Sequence, residues 1–142
     1  MSNMKMILMT AAKFKNSGMT LHDMEKTIIL YLTLDTIKQN RLIGDCMLRV
    51  NCINHYGVVR NEFLCNKSLD KFLREKFPNL HGHIDKLYTH HNQDHVSAEK
   101  IGDGFEAVLG WMFTESPKIL KRLAVRFLNV YFEWVDNDSM KE

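Results

Sequence analysis

The stretch Lys100-Ile-Gly-Asp-Gly-Phe-Glu-Ala-Val-Leu-Gly110 carries the residues best placed to do chemistry. Asp103 and Glu106 are three apart, which puts both carboxylates on one face of a helix. Gly102 and Gly104 interrupt the same amphipathic pattern. Each weakens a helix by roughly 1 kcal/mol relative to Ala, so another part of the chain must approach the backbone there. A second Gly-Asp step, in Ile43-Gly-Asp45-Cys-Met-Leu48, sets another carboxylate at the start of another apolar helix. If the two helices pack side by side, Asp45, Asp103 and Glu106 converge. Crowded carboxylates repel unless cations sit among them, and oxygen ligands of this kind suit Mg²⁺ or Mn²⁺. Such a site takes a phosphate-bearing substrate. The plainer alternative makes Asp103 and Glu106 a solvated first-turn pair favoured by the helix dipole.

Arg41-Leu-Ile-Gly-Asp-Cys-Met-Leu48 resembles the first signature of the ribonuclease III family, an apolar-Gly-Asp-small-apolar-Leu core. Ile101-Gly-Asp-Gly-Phe-Glu-Ala-Val-Leu-Gly110 resembles the second, in which Asp-x-Phe-Glu-Ala precedes a Leu-Ile-Gly-like segment. Between them, Phe63-Leu-Cys-Asn-Lys-Ser-Leu69 is similar to the family's Leu-Val-Ser-Asn-Lys-Ser-Leu, with Asn66 on the family's asparagine. The three matches keep the family's order and separations and span about residues 20 to 135. The resemblance implies an all-α ribonuclease III endonuclease domain at 20–136, after an N-terminal extension or first helix at 1–19 and before a polar tail at 137–142. In size it is similar to the compact bacterial Mini-III members, and it implies a nuclease domain with no double-stranded RNA-binding domain after it.

The activity implied is that of a divalent-metal-dependent endoribonuclease, a homodimer that cuts double-stranded RNA to 5′-phosphate and 3′-hydroxyl ends. Carried over residue by residue, Asp45, Asp103 and Glu106 match three of the family's four acidic metal positions. Asp45 and Glu106 become the catalytic pair that holds Mg²⁺ or Mn²⁺, with Asp103 as a further or water-mediated ligand. At the fourth position the family has Glu and this chain has Arg41; Mini-III members also lack that glutamate. An arginine there either competes with a metal ion or contacts a scissile-strand phosphate. Asn66 and Lys67 are substrate-binding candidates. Leu42 falls where family members insert an apolar side chain into their partner, so it is the dimer-contact candidate, against the alternative of an ordinary core leucine. A second function stays open, that of a catalytically inactive ribonuclease III-like RNA-binding or assembly subunit of an organellar ribosome or RNA-processing complex. Arg41 favours it, whereas three retained acids favour the enzyme.

Other side chains suggest less. Duplex RNA is read through shape, phosphates and 2′-hydroxyls, which calls for a basic stripe. Arg60, Lys67, Lys71, Arg74 and Lys76, or Lys118, Lys121, Arg122 and Arg126, offer one, although mixed charge more commonly marks a solvated helix face. His81, His83, His90, His91 and His95 cluster in a polar stretch. His91 and His95 have the spacing to share a Zn²⁺, but no cysteine is near in sequence and polar loops tolerate histidine freely. Cys46 reads as a small packing residue, and the nine methionines as core and N-terminal filler.

These residues need elements to position them, and the apolar spacing is helical throughout, with only two prolines and seven glycines as punctuation. Thr20 and Asp23 mark a first helix with Leu21, Met24, Ile28, Tyr31 and Leu32 on one stripe. A second is expected from about Leu42 to Tyr56, with Met47, Leu48, Cys52 and Ile53 inward and Gly57 ending it. A third is expected from about Asn61 to Lys76, stopped by Pro78, and residues 79–96 read as a loop. Ser97 caps a fourth helix through Ile101, Phe105, Val108, Leu109 and Met112. Ser116 and Pro117 open a fifth, which continues to Trp134.

The 142 residues suit one domain, and 19 basic against 17 acidic side chains leave a net charge of +2, so any basic surface comes from arrangement and not excess. Apolar runs of at most eight residues argue against a membrane span. Three cysteines without CxxC spacing point to a reducing, intracellular, cytoplasmic setting. Lys5, Lys13 and Lys15 with no acid before Asp23 leave a mitochondrial presequence open.

Overall fold

The structure, a computed structural model, describes residues 20–89, 97–114 and 119–140. Every regular element among them is a helix, so the chain is all-α. Helix α1 spans Leu21–Tyr31, where the Thr20 hydroxyl accepts the Asp23 N–H at 3.1 Å. Helix α2 spans Leu34–Tyr56 and starts two turns before the expected Leu42. Thr33 caps it, accepting the Thr36 N–H at 3.1 Å, and Ile37 anchors the added turns in the core. Gly57 ends α2 with φ at 83°, the left-handed conformation that glycine adopts without penalty.

The expected third helix is two helices, α3 at Asn61–Leu64 and α4 at Asn66–Lys76, parted at an extended Cys65. The break has a partner across the core. The buried Tyr131 hydroxyl donates to the Phe63 carbonyl, which an unbroken helix would offer to residue 67, and lies 3.2 Å from Ser68 Oγ.

Much of the expected loop at 79–96 is helical too, since α5 covers Pro78–Thr89. Its histidines hid a stripe of Leu80, Ile84 and Tyr88, which recur every four residues and are buried. Its start is held from another helix: the buried Glu25 carboxylate of α1 accepts from the Asn79 N–H at 2.9 Å, Asn79 Nδ2 at 3.0 Å and the Leu80 N–H at 3.0 Å. His81 bonds Asp70 at 2.8 Å and His83 the Leu32 carbonyl at 2.8 Å, so both serve packing. His90, His91 and His95 lie outside the described residues.

Helix α6 spans Ala98–Thr114, with the Lys100 N–H 3.4 Å from the Ser97 hydroxyl. Helix α7 spans Ile119–Met140, past the expected domain end at 136, while the expected Ser116 and Pro117 start lies outside the described residues. The centre of the fold is α6, buried almost continuously from Ile101 to Met112 and packed on α2, α4, α5 and α7. Phe72 of α4 meets Phe105 of α6 and Phe127 of α7 edge-on, with ring centroids 5.9 and 6.0 Å apart. Among the described residues no helix is long and apolar enough to cross a membrane.

Candidate functional site

Glycine sets the distance between α2 and α6. A Cβ built on Gly44 would fall 1.5 Å from the Glu106 carbonyl oxygen, and one on Gly110 would fall 2.2 Å from the Asn40 carbonyl oxygen. The two backbones touch, and no side chain fits between them. Since α2 runs from Asn40 to Gly44 while α6 runs back from Gly110 to Glu106, the helices are antiparallel. The same logic holds one turn earlier on α6. A Cβ on Gly102 would lie 2.1 Å from Asn66 Oδ1, and one on Gly104 would lie 2.6 Å from Ile84 Cδ1. The close approach expected at those two glycines is present, and it fixes Asn66 against α6.

Because Asp45 follows Gly44 directly, the contact delivers its carboxylate to Glu106, and the two side chains share a hydrogen bond. Burial, that hydrogen bond and the charges of Asp45 and Asp103 together push the Glu106 carboxyl up to about 8, only partly offset by Arg49. At neutral pH Glu106 therefore keeps its proton beside Asp45. Asp103 is 14% exposed at its side chain, so it is not the solvated residue of the plainer alternative. It pairs with Arg41, whose Nη1 lies 3.3 Å from Asp103 Oδ2. Arg49 Nε stands 3.3 Å from Asp45 Oδ2.

Three further residues join the cluster without a sequence signature. Arg49 is one turn after Asp45, a spacing that favours an ion pair on any helix. Tyr88 was hidden in the expected loop; its hydroxyl is raised by burial and then by the Asp103 charge, with Arg41 acting the other way. Lys100, one turn before Asp103, places Nζ 5.7 Å from the centre of the Tyr88 ring.

Helix α2 divides into three faces. Gly44, Leu48 and Cys52 point inward, and Arg41, Asp45 and Arg49 form the chemical edge. Beside that edge runs an exposed stripe of Leu42, Ile43, Cys46, Val50 and Ile53, about 100° wide at helical spacing. Leu42 is 74% exposed, so it is not a core leucine, and Cys46 is not a packing residue because it lies on the open stripe. The expected inward position of Ile53 is likewise exposed. Lys67 is exposed at the start of α4 beside Asn66.

Asp45 and Glu106 are the side chains that could hold a hard cation, which would displace the Glu106 proton. Among the described residues no three His, Cys, Asp or Glu side chains gather as a ligand set. The expected convergence is thus narrower than three acids on one ion, since Asp103 stands beside the pair but is engaged by Arg41. A cavity bounded by Glu75, Val130, Glu133 and Trp134 shares no residue with this cluster. Comparisons with protein families, curated proteins and solved structures find no match to this chain.

Proposed function

We propose that the chain is a ribonuclease III-type endoribonuclease with the corresponding fold, which cuts double-stranded RNA with Mg²⁺ or Mn²⁺ as a homodimer. The observation that carries this reading is the Gly44–Glu106 backbone contact. It joins the two signature-like stretches and sets Asp45 against Glu106. The bound ion would supply the charge that activates water and stabilises the phosphorane-like transition state. Asp45 and Glu106 would hold the ion. Asp103, kept in place by Arg41, would accept a hydrogen bond from a water at the edge of the site. In-line attack would leave 5′-phosphate and 3′-hydroxyl ends, and the exposed edge of α2 is accessible to a duplex too wide for a pocket.

The homodimer reading rests on the apolar stripe of α2, which lies directly beside the chemical edge. Pairing two such stripes about a two-fold axis sets two Asp45 side chains on related faces, one for each RNA strand. A second reading, the inactive RNA-binding or assembly subunit, is favoured by one observation: the Arg41–Asp103 pair at 3.3 Å withdraws an acid from the metal position. Incubating long duplex RNA with Mg²⁺ separates the two. The enzyme reading expects cleavage that falls at least about 100-fold in Asp45→Ala and in Glu106→Ala. Equal behaviour of wild type and both variants under Mg²⁺ and Mn²⁺ overturns it, and duplex binding without cleavage supports the second reading.

A further inference from the structure

Arg41 and Lys100 are better explained as part of the site than as intruders in it. Three carboxyl groups alone, at Asp45, Asp103 and Glu106, would repel a polyanion until metal arrived. Here Arg41 faces Asp103 and Arg49 faces Asp45, each at 3.3 Å, and Lys100 stands over Tyr88 beside them. Three basic side chains therefore already stand among the acids before any divalent ion binds. Asp103 takes only one edge of the Arg41 guanidinium, through Nη1; the other N–H groups have no partner among the described residues, and the side chain is 54% exposed. A guanidinium fixed on one edge and open on the other is a preorganised phosphate ligand.

Resting on the ribonuclease reading above, we infer that Arg41, braced by Asp103 and assisted by Lys100, is a phosphate anchor that lets duplex RNA dock at the site before the divalent ion. The anchor takes an RNA backbone phosphate, and Asp103 acts as its positioning residue. Asp45 and Glu106 would then take the divalent ion with substrate already in place.

The test measures binding of an RNA duplex of about 30 base pairs in EDTA, by fluorescence anisotropy, from about 50 to 200 mM KCl. Wild type is compared with Arg41→Gln, Arg41→Lys and Lys100→Gln, each first shown by circular dichroism to melt as a folded helical protein. Wild type is expected to bind without metal. Arg41→Gln should weaken binding about 3- to 10-fold and reduce the slope of log K against log salt by about 0.9, the loss of one phosphate contact. Arg41→Lys should keep the slope while losing part of the affinity, because the charge remains and the fork does not. An unchanged slope in Arg41→Gln, or wild-type binding seen only with Mg²⁺, overturns the inference and leaves the nuclease reading standing if Mg²⁺ still drives cleavage. Wild type that neither binds in EDTA nor cuts in Mg²⁺ overturns the nuclease reading, and the inference falls with it.

Discussion

Adding one methyl group at Gly44 tests the geometry on which the site depends. In Gly44→Ala the new Cβ would start 1.5 Å from the Glu106 carbonyl oxygen and 2.3 Å from its carbon. Ordinary contact begins near 3.4 Å, so α2 and α6 must part by about 2 Å. Both sides of the clash are backbone, so no rotamer change relieves it. Overpacking a close-packed interior costs about 1–3 kcal/mol, and this contact belongs at the upper end. Alanine returns about 1 kcal/mol through helix propensity. The net loss of about 2 kcal/mol corresponds to a fall in Tm of roughly 6 °C at this chain length. Gly82→Ala is the matched control, because a Cβ at that helical position meets nothing within 4 Å. It should raise stability by up to about 1 kcal/mol. Thermal and urea unfolding followed at 222 nm read both changes, and the same proteins go into the cleavage assay. There, Gly44→Ala should lose about 100-fold, since Asp45 is displaced from Glu106. If Gly44→Ala melts with Gly82→Ala and cuts like wild type, the helices are not in backbone contact and the reasoning fails.

Three further outcomes are expected. Glu106 carries a raised carboxyl, from 4.5 to about 8, so the folded state holds a proton that the unfolded chain releases, and stability declines as pH rises through that interval. Glu106→Gln should remove this decline, flattening Tm between pH 5 and 8 and leaving the variant more stable than wild type at pH 8; parallel Tm profiles for the two proteins contradict it. Arg41→Glu replaces the partner of Asp103 with a fourth acid, so Mn²⁺ should bind at least about 10-fold more tightly by calorimetry while metal-free RNA binding weakens. Leu42→Asp or Val50→Asp places charge on the exposed α2 stripe and should convert a sedimenting dimer to monomer with little change in Tm; a dimer that survives both locates the interface elsewhere.

The parts of the fold legible in the sequence were those governed by local rules. Thr20, Ser97 and Gly57 each occupy the cap positions their chemistry predicts, and the glycines at 102 and 104 announced a close approach that Asn66 and Ile84 supply. The misses came from contacts distant in sequence. Helix α5 looked like a loop because its cap is Glu25, more than fifty residues away, and because histidine diluted the stripe of Leu80, Ile84 and Tyr88. The break at Cys65 depends on Tyr131 of the last helix. In the candidate site, spacing alone set Asp103 and Glu106 on one face. The neighbourhood of Asp45 and Glu106 needed the α2–α6 pairing, and the retention of Asp103 by Arg41 needed the length of an arginine side chain reaching across it. Leu42 stayed open between two readings, and Cys46 read wrongly as a packing residue, for the same reason: helical periodicity marks an apolar stripe without saying whether the chain itself covers it.

The central claim, that Asp45 and Glu106 form a divalent-cation site, is tested most directly by calorimetric titration of the intact protein with Mn²⁺ near pH 7. The account predicts about one ion bound per chain, with release of a proton from Glu106 that shows as a dependence of the heat on buffer, and loss of binding in both Asp45→Asn and Glu106→Gln. Mn²⁺ bound equally by wild type and the two variants, or not bound by wild type even with duplex RNA present, would contradict it.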